Sequence, residues 1–355
     1  MSRLPCLSGR TEPGHVRFRT GTRHVRAQRI IPVFLPFLGC PGHCVYCAQD
    51  RQTGAGNTGM ATVLRQAEAE TAALFPCGPG ESRELAFYGG TFTALPASDR
   101  RACLDLLDTL RADRRITCAR CSTRPDALSP AVLDELRQHG VDLVELGIQS
   151  FDSRALALSR RGYDGNDALA GCRTVSEAGL DLGIQLLPGM PGSTPEVFLS
   201  DVRLALSLSP SCLRFYPCLV PEGTVLARWF REGSYVPWTV EETVRTLGEA
   251  LSLAWQAGVP VIRLSVAPEP AFDAALLAGP RHPALGALIQ AEALLAATGN
   301  AVKELGHAPT RLTLPRACQG FMYGDRGALK DRWKALGLGP DRIVFSAEAD
   351  MADLA

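Results

Sequence analysis

Three cysteines, Cys40, Cys44 and Cys47, stand in the stretch Cys40-Pro-Gly-His-Cys-Val-Tyr-Cys47, a C-x3-C-x2-C array directly after the apolar run from Ile30 to Leu38. Pro41 and Gly42 let the backbone turn, so that three thiolates can converge on one metal centre. Three thiolates suit a [4Fe–4S] cluster, which then keeps one iron open for a ligand. A structural zinc site takes four ligands and closes itself, and the next cysteine is Cys77. A zinc-stabilised or merely buried set of thiols is the competing reading of the same array.

The chain around this array alternates strand and helix signals. Helical spacing covers Ala61–Leu74, and Glu84–Tyr88 reads as a strand ending at Gly89-Gly90. Leu104, Leu107 and Leu110 share one face of a helix over Ala97–Ala112, followed by a strand over Ile116–Ser122. Ser129-Pro130 is an N-cap and first-turn pair for a helix stopping at Gly140. Strands follow over Val141–Ile148, Leu180–Leu187 and Cys212–Cys218, with helices over Ala168–Ala178 and from Thr194-Pro195 between them. Thr239-Val-Glu-Glu242 is a capping box opening a long helix to Ala257, and Val261–Val266 reads as one more short strand. Such alternation means βαβ units and a parallel sheet, and six units suit a partial parallel (β/α)6 TIM-like barrel better than two domains.

The expected organisation is an arginine-rich, flexible N-terminal arm over residues 1–29, a barrel over 30–270 and a C-terminal extension over 271–355 packed on it. The arm holds seven arginines and one acid, Glu12; an RNA-contacting extension and an organelle transit peptide are its sharper readings. The extension has one good helix, Ala284–Ala297, and a basic tail. Composition is that of an ordinary globular protein, 46% hydrophobic and 21% charged. Formal net charge is zero, so nothing global points to nucleic acid or membrane. Twelve cysteines without a secreted disulfide pattern argue for a reducing, cytoplasmic setting. No uninterrupted apolar run of about 18 residues and no signal-peptide core occur, so no membrane span is expected.

Each unusual polar or glycine cluster falls at or just after the end of a predicted strand: the cysteine array, Gly89-Gly90-Thr91, Ser122-Thr-Arg124, Gln149-Ser150, and Gln185 with Pro188-Gly189. In a parallel barrel these ends share one face, where active sites are built. The array and the Tyr88-Gly-Gly-Thr-Phe-Thr93 segment resemble the motifs of the radical S-adenosylmethionine (SAM) superfamily. Phe87-Tyr-Gly-Gly-Thr-Phe-Thr-Ala-Leu95, Ser122-Thr-Arg-Pro-Asp126 and Glu145-Leu-Gly-Ile-Gln-Ser150 look like its elongator-type branch, named for the catalytic subunit of the eukaryotic elongator complex. The resemblance runs from about residue 30 to 285 and fits a short form without the elongator acetyltransferase domain, so the elongator activity is not carried over by default.

The resemblance implies a cluster on Cys40, Cys44 and Cys47 whose open iron binds SAM. It puts Tyr46 near the adenine and Gly89, Gly90 and Thr91 at the amino group. Gln149 and Arg161, with Arg160 as a rival, would contact ribose and carboxylate. Ser122 and Gln185 stand where the branch that contains oxygen-independent coproporphyrinogen oxidase, which the Gly147–Phe151 segment and Arg161 resemble, more often carries a carboxylate, and both can still bond ribose hydroxyls. The implied chemistry is one-electron reduction by a flavodoxin- or ferredoxin-like donor, then SAM cleavage to a 5′-deoxyadenosyl radical that acts on a small molecule or on an RNA base, as in tRNA. The alternative is an iron–sulfur sensor or cofactor carrier on the same fold. Cys118 and Cys121 form C-x2-C, but positions three apart on a strand face opposite sides. They read as buried thiols, as do Cys103, Cys172, Cys212 and Cys218. Cys6, Cys77 and Cys318 lie in less regular stretches, Cys318 as a conceivable substrate contact, and His43 turns to solvent.

Overall fold

The computed structural model describes residues 14–21, 29–49, 59–78, 81–266 and 270–355. Its strands are β1 (Val16–Phe18), β2 (Arg29–Leu35), β3 (Arg83–Gly89), β4 (Cys118–Thr123), β5 (Leu143–Gln149), β6 (Asp181–Leu186), β7 (Cys212–Phe215), β8 (Val220–Pro221), β9 (Val261–Arg263), β10 (Leu276–Ala278), β11 (Leu312–Pro315), β12 (Ile343–Ser346) and β13 (Ala352–Leu354). The chain divides into two compact units.

The larger unit, residues 25–238 and 266–280, is the α/β partial barrel. Strands β2 to β7 lie side by side in chain order, every neighbouring pair parallel. Helices Met60–Ala72, Ala97–Ala112, Pro130–Gln138, Gly165–Glu177 and Pro195–Ser207 make the crossovers. The two Ser/Thr-Pro capping signals act as expected. Ser129 accepts from Val132 N–H behind Pro130, and Thr194 from Val197 N–H behind Pro195. One side of each strand buries Val, Leu, Ile and Phe against these helices: Val33 and Leu35 on β2, Leu85 and Phe87 on β3, Val144 and Leu146 on β5. The other side carries the ionisable residues, an alternation that fixes register because a one-residue slip would exchange the faces. Two short helices, Ser153–Leu158 and Val225–Arg231, were not expected; each is too brief for a helical period to show.

The smaller unit, residues 1–24, 239–265 and 281–355, departs from the expected boundaries. Residues 1–29 are not one flexible arm, since β1 pairs antiparallel with β13, Val16 opposite Leu354. Residues 1–13 and 22–28, with Cys6, lie outside the described residues. A four-stranded sheet runs in the order β1-β13-β11-β12, so the three C-terminal strands share a sheet with the N-terminal β1. Helix Val240–Ala257, capped by Thr239, packs on helix Leu285–Leu305. Gly248 makes that approach possible, since a β-carbon there would stand 2.5 Å from Glu292 Cβ. Leu285–Leu305 is long and apolar enough to cross a membrane by length and composition. It reads as a core helix, with Ile289, Leu294 and Ala301 buried in this unit.

Candidate active site

The cysteine loop leaves β2 through a tight turn and is pinned from two sides. Val45 N–H donates to Ser159 O at 3.3 Å, and Leu226 N–H donates to Val45 O at 2.8 Å. The Val45 side chain is fully buried among Leu187, Met190, Val220 and Leu226. One residue between Cys44 and Cys47 is thus held like a strand residue, which leaves the half-buried thiols of Cys40, Cys44 and Cys47 on a fixed frame. His43 is exposed, its ring edge-on to Phe37 at 4.5 Å.

The glycine pair is built into the same frame. Gly90 N–H donates to Leu35 O and Thr91 N–H to Leu38 O, both at 2.8 Å. Gly89 O accepts from the Gln49 side chain at 2.9 Å, and Gln49 in turn accepts from Phe37 N–H at 2.6 Å. Thr91 Oγ1 is 3.3 Å from Cys40 Sγ. Gly89, Gly90 and Thr91 therefore border the array, and their small size lets one backbone lie on the other.

Arg161 reaches the array from beyond β5. Its Nη1 donates to Cys44 Sγ at 3.0 Å, its Nη2 to Gly147 O at 2.6 Å, and its Nε to the Tyr163 hydroxyl at 2.9 Å. Arg161 is buried, whereas Arg160 is exposed. Gln149 ends β5 at φ +68°, in the left-handed region, where the β5–β6 register shifts. A non-glycine residue there is strained unless its surroundings hold it. The holding group is Asp201, on helix Pro195–Ser207, which accepts from Ser150 Oγ at 2.5 Å and Phe151 N–H at 2.9 Å.

Burial pushes the Asp201 carboxyl up to about 6, although the bonds from Ser150 and Phe151 pull it down. An acid with a folded pKa above its unfolded one binds more protons folded than unfolded between the two. Its contribution to stability therefore falls as pH rises from about 4 to about 6 and is level above that. Asp201→Asn is expected to flatten this part of the stability–pH curve in urea unfolding; an unchanged slope would contradict the assignment.

Ser122 and Gln185 lie on the inner face of the sheet, over a charged cluster that the sequence did not announce. Ser122 Oγ donates to Glu145 Oε2 at 3.3 Å. Glu145 Oε1 takes Arg120 Nη1 at 2.6 Å and Arg214 Nη2 at 3.0 Å, and Arg120 also pairs with Glu84. Arg214 donates to the hydroxyls of Tyr88 at 2.6 Å and Tyr216 at 3.0 Å. Gln185 stands opposite Arg214 in the β6–β7 register. Charged residues in mid-strand, Glu84, Arg120 and Glu145, were the available signal; Tyr163, Asp201 and Gln49 had none.

The donor set fits an iron–sulfur cluster and SAM. Burial, then the neighbouring Cys44 and Cys40 thiols, push Cys47 up to about 12, so three thiolates together need a positive partner, which cluster iron supplies. Among the described residues no three His, Cys, Asp or Glu side chains are grouped to hold a single metal ion. A cluster differs from a lone ion in taking each thiolate on a separate iron. The Tyr46 hydroxyl and Gln149 Oε1 are buried without a hydrogen-bond partner among the described residues, a need that a ligand's polar atoms would meet. Burial holds the Tyr46 phenol well above its usual range. Among the described residues the remaining cysteines offer no second centre. Cys77, Cys103, Cys121, Cys172, Cys212, Cys218 and Cys318 are buried free thiols, and Cys118 is half-buried.

Two families match this chain, "Radical SAM superfamily" over residues 34–205 and "Radical_SAM C-terminal domain" over 210–294. The chain belongs to the radical SAM superfamily. It is a radical SAM enzyme whose cofactors are a [4Fe–4S] cluster and SAM. Among curated relatives, a tRNA uridine(34) acetyltransferase of Dehalococcoides mccartyi is 29% identical over 233 residues, covering 57% of this chain and 51% of that protein. The enzyme of the same name from Methanocaldococcus infernus is 29% identical over 195 residues, 49% of this chain and 36% of that protein. A heme chaperone HemW of Mycobacterium tuberculosis is 29% identical over 210 residues, 57% of this chain and 53% of that protein. The radical SAM chain thus spans about half or less of the length of these relatives. The solved archaeal Elp3 of M. infernus, N-terminus deleted, shares its fold with a TM-score of 0.56 at 22% identity, covering 75% of this chain and 62% of that one.

Proposed function

We propose that this radical SAM enzyme cleaves SAM reductively and directs the resulting 5′-deoxyadenosyl radical at a base of an RNA, most simply a tRNA. The observation that carries the reading is the meeting of Cys44, Arg161 and the Gly89-Gly90-Thr91 turn at the C-terminal ends of parallel strands. When bound, the cluster supplies one electron to the SAM sulfonium. The chain's own work is to hold and orient. Cys40, Cys44 and Cys47 hold the cluster, and Gly89, Gly90 and Thr91 border the place of the SAM amino group. Arg161, whose Nε and Nη2 are taken by Tyr163 and Gly147, offers the Nη1 N–H not on Cys44 Sγ to the SAM carboxylate. Tyr46, Gln149, Ser122 and Gln185 offer polar atoms to the adenosine. Burial of Val45, Tyr163 and Leu187 keeps water from one side of the reacting centre. A flavodoxin- or ferredoxin-like protein serves as electron donor.

The relatives named for tRNA uridine(34) support RNA over a free small molecule. Reconstituted protein with dithionite and SAM should form 5′-deoxyadenosine several-fold faster with bulk tRNA than without it. Stimulation by a nucleoside or metabolite pool, but not by tRNA, would sink the RNA part alone. The HemW relative supports a second reading, a cofactor carrier. Stoichiometric hemin binding without SAM cleavage would favour it.

A further inference from the structure

We propose that Arg161, held in place by Tyr163, sets the reduction potential of the iron–sulfur cluster through a charged hydrogen bond to the Cys44 sulfur. The inference rests on the reading above that Cys44 is a cluster ligand. Arg161 is only 6% exposed, and its Nη1 lies 3.0 Å from Cys44 Sγ. The guanidinium's other hydrogen bonds among the described residues go to neutral oxygens: Gly147 O at 2.6 Å from Nη2, and the Tyr163 hydroxyl at 2.9 Å from Nε and 2.8 Å from Nη2. The Tyr163 hydroxyl accepts both of those N–H groups, and its own hydrogen goes to Gly147 O or Ile148 O, at 2.9 and 3.0 Å. One phenol thus ties the guanidinium to the backbone of β5 and leaves Nη1 aimed at sulfur. Tyr163 is itself buried, so the arrangement cannot relax into solvent.

The sign follows from electrostatics. A cluster's potential depends on its net charge and on hydrogen bonds to its sulfurs. In the step concerned, a [4Fe–4S]2+ centre takes one electron from an external donor and becomes [4Fe–4S]1+. No bond forms, and Arg161 stays protonated, so no proton moves. A buried cation beside a ligand sulfur stabilises the form with the extra electron, and does so strongly because little water screens it. Removing the cation should make the cluster harder to reduce. Releasing it from Tyr163 should act in the same direction and more weakly.

The test is an anaerobic redox titration with dithionite and mediators, read by the electron paramagnetic resonance of the reduced cluster, on the reconstituted full chain. At the poise that half-reduces the unaltered protein, Arg161→Gln is expected to show about a tenfold lower ratio of reduced to oxidised cluster, about 59 mV for one electron. Tyr163→Phe, which leaves Arg161 and every cysteine in place, is expected to show about a threefold lower ratio. Arg161→Lys keeps the charge and should fall closer to the unaltered protein than Arg161→Gln does. Equal iron content and equal midpoints in all the variants would overturn the proposal. Failure of both Arg161→Gln and Tyr163→Phe to load iron would also overturn it, by assigning the pair to cluster assembly. If the unaltered chain holds no cluster that Cys44→Ala diminishes, the reading beneath the proposal has failed instead.

Discussion

Gly90→Ala is expected to destabilise the larger unit by about 3 kcal/mol and to remove most of the iron the chain can load. A β-carbon at position 90 would stand 1.9 Å from Leu38 O and 2.8 Å from Leu35 O, both backbone atoms. These carbonyls are fixed, because Leu35 O accepts Gly90 N–H and Leu38 O accepts Thr91 N–H. The clash cannot be relieved by turning a side chain. It must separate the turn after β3 from the turn that carries Cys40. Gly42, inside the array, provides the contrast: a β-carbon there meets nothing within 4 Å, so Gly42→Ala should stay within about 0.5 kcal/mol. Urea unfolding and the iron-to-protein ratio read both effects. A Gly90→Ala protein as stable and as iron-rich as Gly42→Ala would refute this account of the frame.

Glu145→Ala is expected to cost about 3–5 kcal/mol, the range for leaving a buried charge uncompensated. Glu145 is 3% exposed, and its carboxylate is shared by Arg120 and Arg214. Arg120 keeps Glu84, but among the described residues Arg214 keeps only the hydroxyls of Tyr88 and Tyr216 as hydrogen-bond partners. The larger part of the loss therefore belongs to Arg214, and the double variant Glu145→Ala, Arg214→Ala should cost clearly less than the sum of its parts. Additive costs would show that the pair contributes nothing beyond separate packing. Ser122, which donates to the same carboxylate, would lose its partner as well.

The parts of this site legible in sequence were those written locally. Cys40, Cys44 and Cys47 lie within eight consecutive residues, and their spacing alone suggests a cluster with an open iron. Helices behind Ser129-Pro130, Thr194-Pro195 and Thr239 announce themselves because a cap acts on residues two or three positions away. The charged cluster is the opposite case. Glu84, Arg120, Glu145 and Arg214 come from four strands, and only strand order and register bring them together. Each alone reads as a charge misplaced in an apolar strand. Residues 1–29 failed for the same reason: the partner of Val16 is Leu354, and no local pattern predicts a pairing across nearly the whole chain. The glycine pair was located by sequence, but its packing role was not, since the surface it lies on is the end of β2 at Leu35 and the turn through Leu38.

Whether Cys40, Cys44 and Cys47 carry a cluster that cleaves SAM is tested most directly by 5′-deoxyadenosine formation in an anaerobic mixture of reconstituted protein, dithionite and SAM. The unaltered protein should be brown, with absorbance at about 400 nm that zinc, a d10 ion, cannot give. It should form 5′-deoxyadenosine, and Cys44→Ala should reduce that product to the level without protein. A loaded cluster with no cleavage under a second reductant as well, or equal cleavage in Cys44→Ala, would contradict that role.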